Sequence, residues 1–105
     1  MIRLTVFYPS TKGDRFDWDY YLDDHMQLVE EKFGEWMTRA EVGKGVAGVP
    51  EGEASYVCTT NLYFESQDDM NAAFKNAGMA IPEDIPNFTD ITPVQQVEEV
   101  VAESG

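Results

Sequence analysis

A clean two-residue alternation runs directly into a capped, one-faced helix pattern, and this pairing constrains the fold most. Ile2, Leu4, Val6 and Tyr8 share one face, and Arg3, Thr5 and Phe7 share the other. Period two with β-branched residues predicts a strand over 2–8, which Pro9 ends because it lacks a ladder donor. A loop over 10–16 with Gly13 at its turn follows. Asp17 is placed to cap the free amides of a helix, Asp19 suits the positive end of its dipole, and Phe16 and Tyr21 have the spacing of a hydrophobic staple. Trp18, Tyr21, Leu22, His25, Val29 and Phe33 then recur at helical spacing. Gly34 is expected to stop the helix in the left-handed conformation.

Residues 37–44 alternate weakly as a second strand, and a glycine-rich hairpin loop holds Gly43, Gly45, Gly48, Gly52 and Pro50. Residues 55–65, dense in aromatic and β-branched types, predict a third strand. Ser66 caps a second helix with Asp69 three residues on; Met70, Ala73, Phe74 and Ala77 form its apolar face, and Gly78 stops it. Residues 79–93 read as a proline-punctuated loop with room for one helical turn. In 94–101, Val94, Val97 and Val101 fit a helix period, whereas four valines in eight residues fit a strand. Taken as a strand, the segment completes βαββαβ, an α+β ferredoxin-like unit with a four-stranded antiparallel sheet. Two helices cover one face of such a sheet. The other is expected to expose apolar side chains from four strands, which predicts a homodimer with sheets facing one another.

The 105 residues suit a single domain over 1–105. Twenty acids against seven bases give a net charge of −13, which argues against nucleic acid and anionic membrane surfaces as partners. The N-terminal stretch has no sustained apolar run of a secretory leader, and no segment reaches the ~18–20 apolar residues of a membrane span. One cysteine, Cys58, leaves no internal disulfide and no multi-cysteine zinc site, and it reads as an inert buried thiol. A soluble, cytoplasmic protein is the expectation.

Nucleotide, P-loop, zincin and nucleophile-elbow motifs are all absent, and no metal is expected. His25 is the one side chain that titrates near neutrality unperturbed. It lies about 20° from the centre line of the apolar stripe at 100° per residue, so its imidazole points toward the sheet. It reads either as a core histidine bonded to a tyrosine or a backbone carbonyl, or as an acid/base or ligand anchor in a pocket. Tyr8, Tyr56 and Tyr63 on the strands, with Trp18, either fill the core or line an aromatic, ligand-binding pocket with His25.

The stretch Val6-Phe7-Tyr8-Pro9, then Phe16-Asp17-Trp18-Asp19-Tyr20-Tyr21-Leu22-Asp23-Asp24-His25-Met26-Gln27-Leu28-Val29, resembles the EthD family. The tail Pro86-Asn87-Phe88-Thr89-Asp90-Ile91, with Pro93-Val94 and Gln96-Val97-Glu98, is similar to that family's C-terminal segment. The resemblance implies the dimeric α/β barrel built from ferredoxin-like units, and with it a fourth strand over 94–101. It carries over Tyr8, Asp17, Tyr21 and His25. The family takes its name from a gene cluster for degradation of ethyl tert-butyl ether, and related fungal proteins are cofactor-free dehydratases or decarboxylases. The implied function is a cofactor-independent enzyme for a small hydrophobic or aromatic metabolite, with His25 and Tyr21 as catalytic residues. A non-catalytic binding or accessory protein of an ether-degrading pathway is the alternative, and haem binding through His25 is a third.

Overall fold

The computed structural model describes residues 1–11 and 13–105; Lys12, inside the expected 10–16 loop, lies outside them. Strand β1 (Ile2–Pro9) precedes a first helix built of three consecutive segments, Trp18–Tyr20, Tyr21–His25 and Met26–Phe33. Strands β2 (Met37–Lys44) and β3 (Tyr56–Phe64) follow, then a second helix (Gln67–Ala77). A short third helix (Ala80–Asp84) with a 3-10 turn (Ile85–Asn87) leads to β4 (Val94–Glu99). The sheet is antiparallel throughout, in the order β2-β3-β1-β4. This is the ferredoxin-like arrangement, with 94–99 a strand.

The register decides which side chains meet. Leu4 sits opposite Leu62 and Val97, Val6 opposite Thr60, and Tyr8 opposite Cys58. Leu4, Leu62 and Phe64 pack against Val29 and Phe33 of the first helix and Met70, Ala73 and Ala77 of the second. A second, aromatic cluster of Tyr8, Tyr21, Phe88 and Ile91 sits beside Cys58 at the other end of the sheet.

Asp17 caps the first helix, accepting from the Tyr20 amide at 3.1 Å, and Phe16 meets Tyr21 at 5.2 Å between ring centres. Leu22 departs from the expected stripe, being 51% exposed. The inward residues are Tyr21, His25, Val29 and Phe33, spaced by four, which would drift by about 40° per step on an ideal α-helix. A π-helical turn over Tyr21–His25, in which the Met26 N–H reaches the Tyr21 carbonyl, absorbs that drift. Gly34 ends the helix in a right-handed conformation, φ −38°, and not a left-handed one. Its need for glycine is steric, since a Cβ there would come 2.5 Å from the Glu30 carbonyl oxygen. Gly78, at φ +56°, is the left-handed stop expected of it. Ser66 accepts from the Asp69 amide at 3.1 Å. Ser66→Ala is therefore expected to lower the unfolding free energy by about 1 kcal/mol in a denaturant titration.

The open face of the sheet corrects the expectation of a broad apolar surface. Arg3 donates to Glu98 at 2.6 Å, and the Thr5 hydroxyl lies 3.0 Å from both Glu98 and Asn61. Asn61 and Tyr63 both donate to Glu41, at 3.0 and 2.8 Å, and the Arg39 guanidinium covers the Tyr63 ring. The face is polar because alternation turns Val97 to the helix side and leaves Gln96 and Glu98 outward. Apolar side chains on this face include Phe7, its partner Val94, and Tyr56, with Met1 and Val100 beside Tyr63 and Arg39.

Candidate functional site

The two long helices leave a cavity of about 280 Å³ between themselves and the sheet. Its walls are largely apolar, with Leu4, Val6, Val29, Phe33 and Leu62 at one end. Tyr8, Tyr21, His25 and Thr60 form a polar end. Exposed Phe74, Gly78, Pro82 and Gln95 mark the mouth, between the second helix, the third helix and the β4 edge.

His25 is 3% exposed and faces this polar end from the first helix. Its Nδ1 lies 2.8 Å from Asp84 Oδ2, on the third helix. The partner is thus a carboxylate from the 79–93 segment, neither a strand tyrosine nor a backbone carbonyl. The other Asp84 oxygen accepts from the Tyr20 hydroxyl at 2.6 Å and from the Asn87 amide at 2.9 Å. Partial burial works to raise the Asp84 carboxyl, but the hydrogen bonds from Tyr20, Asn87 and His25 outweigh it and hold it below the ordinary 3.8. Asp84 is therefore ionised at neutral pH and accepts a proton-bearing Nδ1. Burial draws His25 below its ordinary 6.5, and Asp84 offsets only part of that. The imidazole is neutral near pH 7, with Nδ1–H fixed on Asp84 and the lone pair on Nε2. Among the described residues, no protein group hydrogen-bonds Nε2.

Packing holds the ring plane as firmly as hydrogen bonding holds the tautomer. His25 stacks on Tyr21 at 5.2 Å and meets Phe88 at 4.6 Å. Phe88 is fixed in turn by a clamp between two distant segments. Asp17 N–H donates to the Phe88 carbonyl at 2.8 Å, Arg15 donates to the Pro86 carbonyl at 2.7 Å, and the Thr89 hydroxyl donates to the Arg15 carbonyl.

Of the expected site residues, Tyr8, Tyr21 and His25 line the cavity and Trp18, Tyr56 and Tyr63 do not. Trp18 packs against Phe16 under Lys44. Tyr63 alternates onto the open face. A register shift between Tyr8 and Pro9 puts one extra residue into β3 and turns Tyr56 to the open face, where it meets Phe7 at 5.0 Å. Tyr21 has its hydroxyl engaged by Thr60, whose hydroxyl also approaches Cys58. The Tyr8 hydroxyl is held by no hydrogen bond of ordinary length among the described residues. Burial pushes both phenols well above their usual range, so both stay protonated donors. Cys58 is fully buried, and burial raises its thiol.

Asp84, Tyr20, Asn87 and Phe88 have no role in the sequence reading. Ile81, Ile85 and Phe88 follow one another at helical spacing, the one signal that this proline-rich segment turns inward beside Asp84. Among the described residues, no group of three or more His, Cys, Asp or Glu side chains is placed to hold a metal ion. A haem does not fit, because a porphyrin exceeds the cavity and, among the described residues, no lysine or arginine lines it to meet the propionates.

The acid side of the stability profile follows from these shifts. Between 6.5 and its lower folded value, His25 binds more protons unfolded than folded. Its contribution is complete above pH 6.5 and is lost as pH falls through the folded value. Asp84, also depressed, contributes fully above 3.8 and loses its contribution further below. Denaturant titrations from pH 7.5 to 5 should show wild type losing more stability than His25→Gln, which has nothing to titrate there.

No curated protein of known function matches the chain significantly. The chain is similar to the solved structure of an EthD-like protein from Ralstonia eutropha, at 38% identity and TM-score 0.90, over 98% of this chain and 94% of that one. An EthD-family protein from Bacillus halodurans aligns at 18% identity and TM-score 0.74, over 94% and 97% of the two chains. A dimeric ferredoxin-like protein from an uncultured marine organism shares the fold at 12% identity and TM-score 0.60, over 99% and 98%. The EthD domain matches residues 12–92, a span that holds the helix bearing His25, the clamp and Asp84; the chain belongs to the EthD domain family.

Proposed function

We propose that the protein is a cofactor-independent enzyme that uses His25 as a general base on a small, largely apolar molecule bearing a carbonyl or phenol group. The observation that carries this reading is the His25–Asp84 pair. A buried, neutral imidazole lining the cavity has one nitrogen fixed on a carboxylate and the other without a hydrogen bond among the described residues. Nε2 takes a proton from carbon or oxygen of the ligand. The Tyr8 hydroxyl donates to the oxygen on which negative charge develops. Tyr21, already engaged by Thr60, supports the His25 ring. The cavity lies just under the ~300–1,000 Å³ usual for small-molecule sites, which suits a one- or two-ring compound.

The test is carbon-acid exchange. Wild-type protein in D₂O with β-tetralone, followed by proton NMR, should exchange the hydrogens beside the carbonyl faster than buffer alone. Binding of β-tetralone without exchange would replace this reading with that of a binding or accessory protein.

The working unit in this proposal is a homodimer, in line with the dimeric ferredoxin-like relative in fold and with the exposed Phe7–Tyr56–Val94 strip. Sedimentation equilibrium should give about 24 kDa, twice the 11.9 kDa of one chain. A cytoplasmic setting suits the single, buried, unpaired thiol.

A further inference from the structure

We propose that the cavity is selective for uncharged ligands and rejects carboxylates, the ligand being held by one group that both accepts a hydrogen bond from Tyr8 and donates one to His25. This inference rests on the reading of the cavity as a small-molecule site and deepens it to a substrate class.

Among the described residues, no lysine or arginine lines the cavity. Asp84 stands directly behind His25, and its three partners, Tyr20, Asn87 and His25, are all uncharged at neutral pH. Among the described residues, the full charge beside the polar end is therefore negative and has no cation hydrogen-bonded to it. A ligand carboxylate would be a second anion in a low-dielectric space, stripped of water and given no counter-charge. The net charge of −13 acts in the same sense at longer range, lowering the concentration of anions near the mouth.

Hydrogen-bond polarity makes the same selection independently. Two cavity-lining side chains keep hydrogen-bonding capacity among the described residues: Tyr8, whose oxygen is approached by the Tyr21 hydroxyl while its own proton is left to donate, and His25, through Nε2. Both residues are more than nine-tenths buried. Tyr8 offers a proton and Nε2 a lone pair. A carboxylate brings acceptors only, so it satisfies Tyr8 and sets an oxygen lone pair against the Nε2 lone pair. A carboxamide, a phenol or an enolisable ketone presents an oxygen for Tyr8 and a hydrogen for Nε2. Beyond this polar end, with Tyr21 and Thr60, and Gln95 at the rim, the wall is largely hydrocarbon, so the remainder of such a ligand is apolar.

The comparison that isolates charge uses β-naphthamide and β-naphthoate, which have nearly the same shape. Their affinities for the full-length protein are read by calorimetry at pH 7.5. The amide is expected to bind, and the carboxylate to bind at least about tenfold more weakly. Gln95→Arg places a cation at the exposed rim and should raise naphthoate affinity several-fold relative to naphthamide. Equal affinities, or tighter binding of naphthoate to wild type, would overturn the selectivity while leaving the cavity a ligand site. Failure of both compounds to bind would overturn the small-molecule reading, and the selectivity with it.

Discussion

Replacing His25 by glutamine is expected to lower β-tetralone exchange by about 10²–10⁴-fold, the range over which positioned proton transfer contributes. Glutamine keeps a polar group that Asp84 can bind but supplies no basic nitrogen to the cavity. Loss of the His25 packing and hydrogen bond should reduce stability by only about 1–3 kcal/mol, so a folded, inactive variant is the expected result. Wild-type exchange in a folded His25→Gln protein would remove His25 from the chemistry. Asp84→Asn probes the same pair from behind. Asparagine can donate to Nδ1, which would move the imidazole proton to Nε2 and cap the base. Loss of the carboxylate also removes the hydrogen bond and charge that raise His25 against its burial. Residual activity should accordingly show its acidic limb displaced to lower pH than in wild type. An unmoved limb would mean that Asp84 does not act through His25.

Phe88→Ala is expected to be the most damaging single truncation for stability. The ring is fully buried and touches Tyr8, Phe16, Tyr20, Tyr21 and His25, with centroid separations from 4.6 to 6.3 Å. Removal of a buried phenylalanine costs about 3–5 kcal/mol, through lost transfer energy and the cavity left behind. For a domain of this size that is a fall of at least about 12 °C in melting temperature. A smaller effect, below about 1.5 kcal/mol, would show that the aromatic cluster collapses into the void. The clamp would then not depend on this ring. Because Phe88 also bounds His25, a surviving Phe88→Ala protein should lose exchange activity more than its folded fraction explains.

The sheet and both long helices were legible because each rests on local physics. The alternation of 2–8 and the aromatic, β-branched run of 55–65 appear as β1 and β3 within a residue or two. Asp17 and Ser66 cap as their side chains dictate. Residues 94–99 were not legible that way. Their valines serve two periods equally, and only likeness to the EthD pattern favoured a strand. Leu22 and Tyr56 were misplaced for a common reason: a π-turn in one case and a strand irregularity in the other add a residue that no regular period anticipates. Asp84 escaped notice because its role depends on tertiary contact. It lies 59 residues from His25, and nothing local distinguishes it from the other surface acids of so acidic a chain.

The wide turn between Tyr21 and His25 makes the first helix tolerant of spelling and intolerant of length. Leu22, Asp23 and Asp24 all face solvent, so many residues could stand in their places with little effect. Their number is another matter. Deleting any one would let the helix wind as an unbroken α-helix, with a full set of ordinary backbone bonds, and would turn everything before it by about 100° relative to everything after. Tyr21 would swing off the His25 ring, and Asp17 would leave the Phe88 carbonyl. The helix keeps one surplus residue for phase alone, and a shorter, better-wound version would be the less useful one.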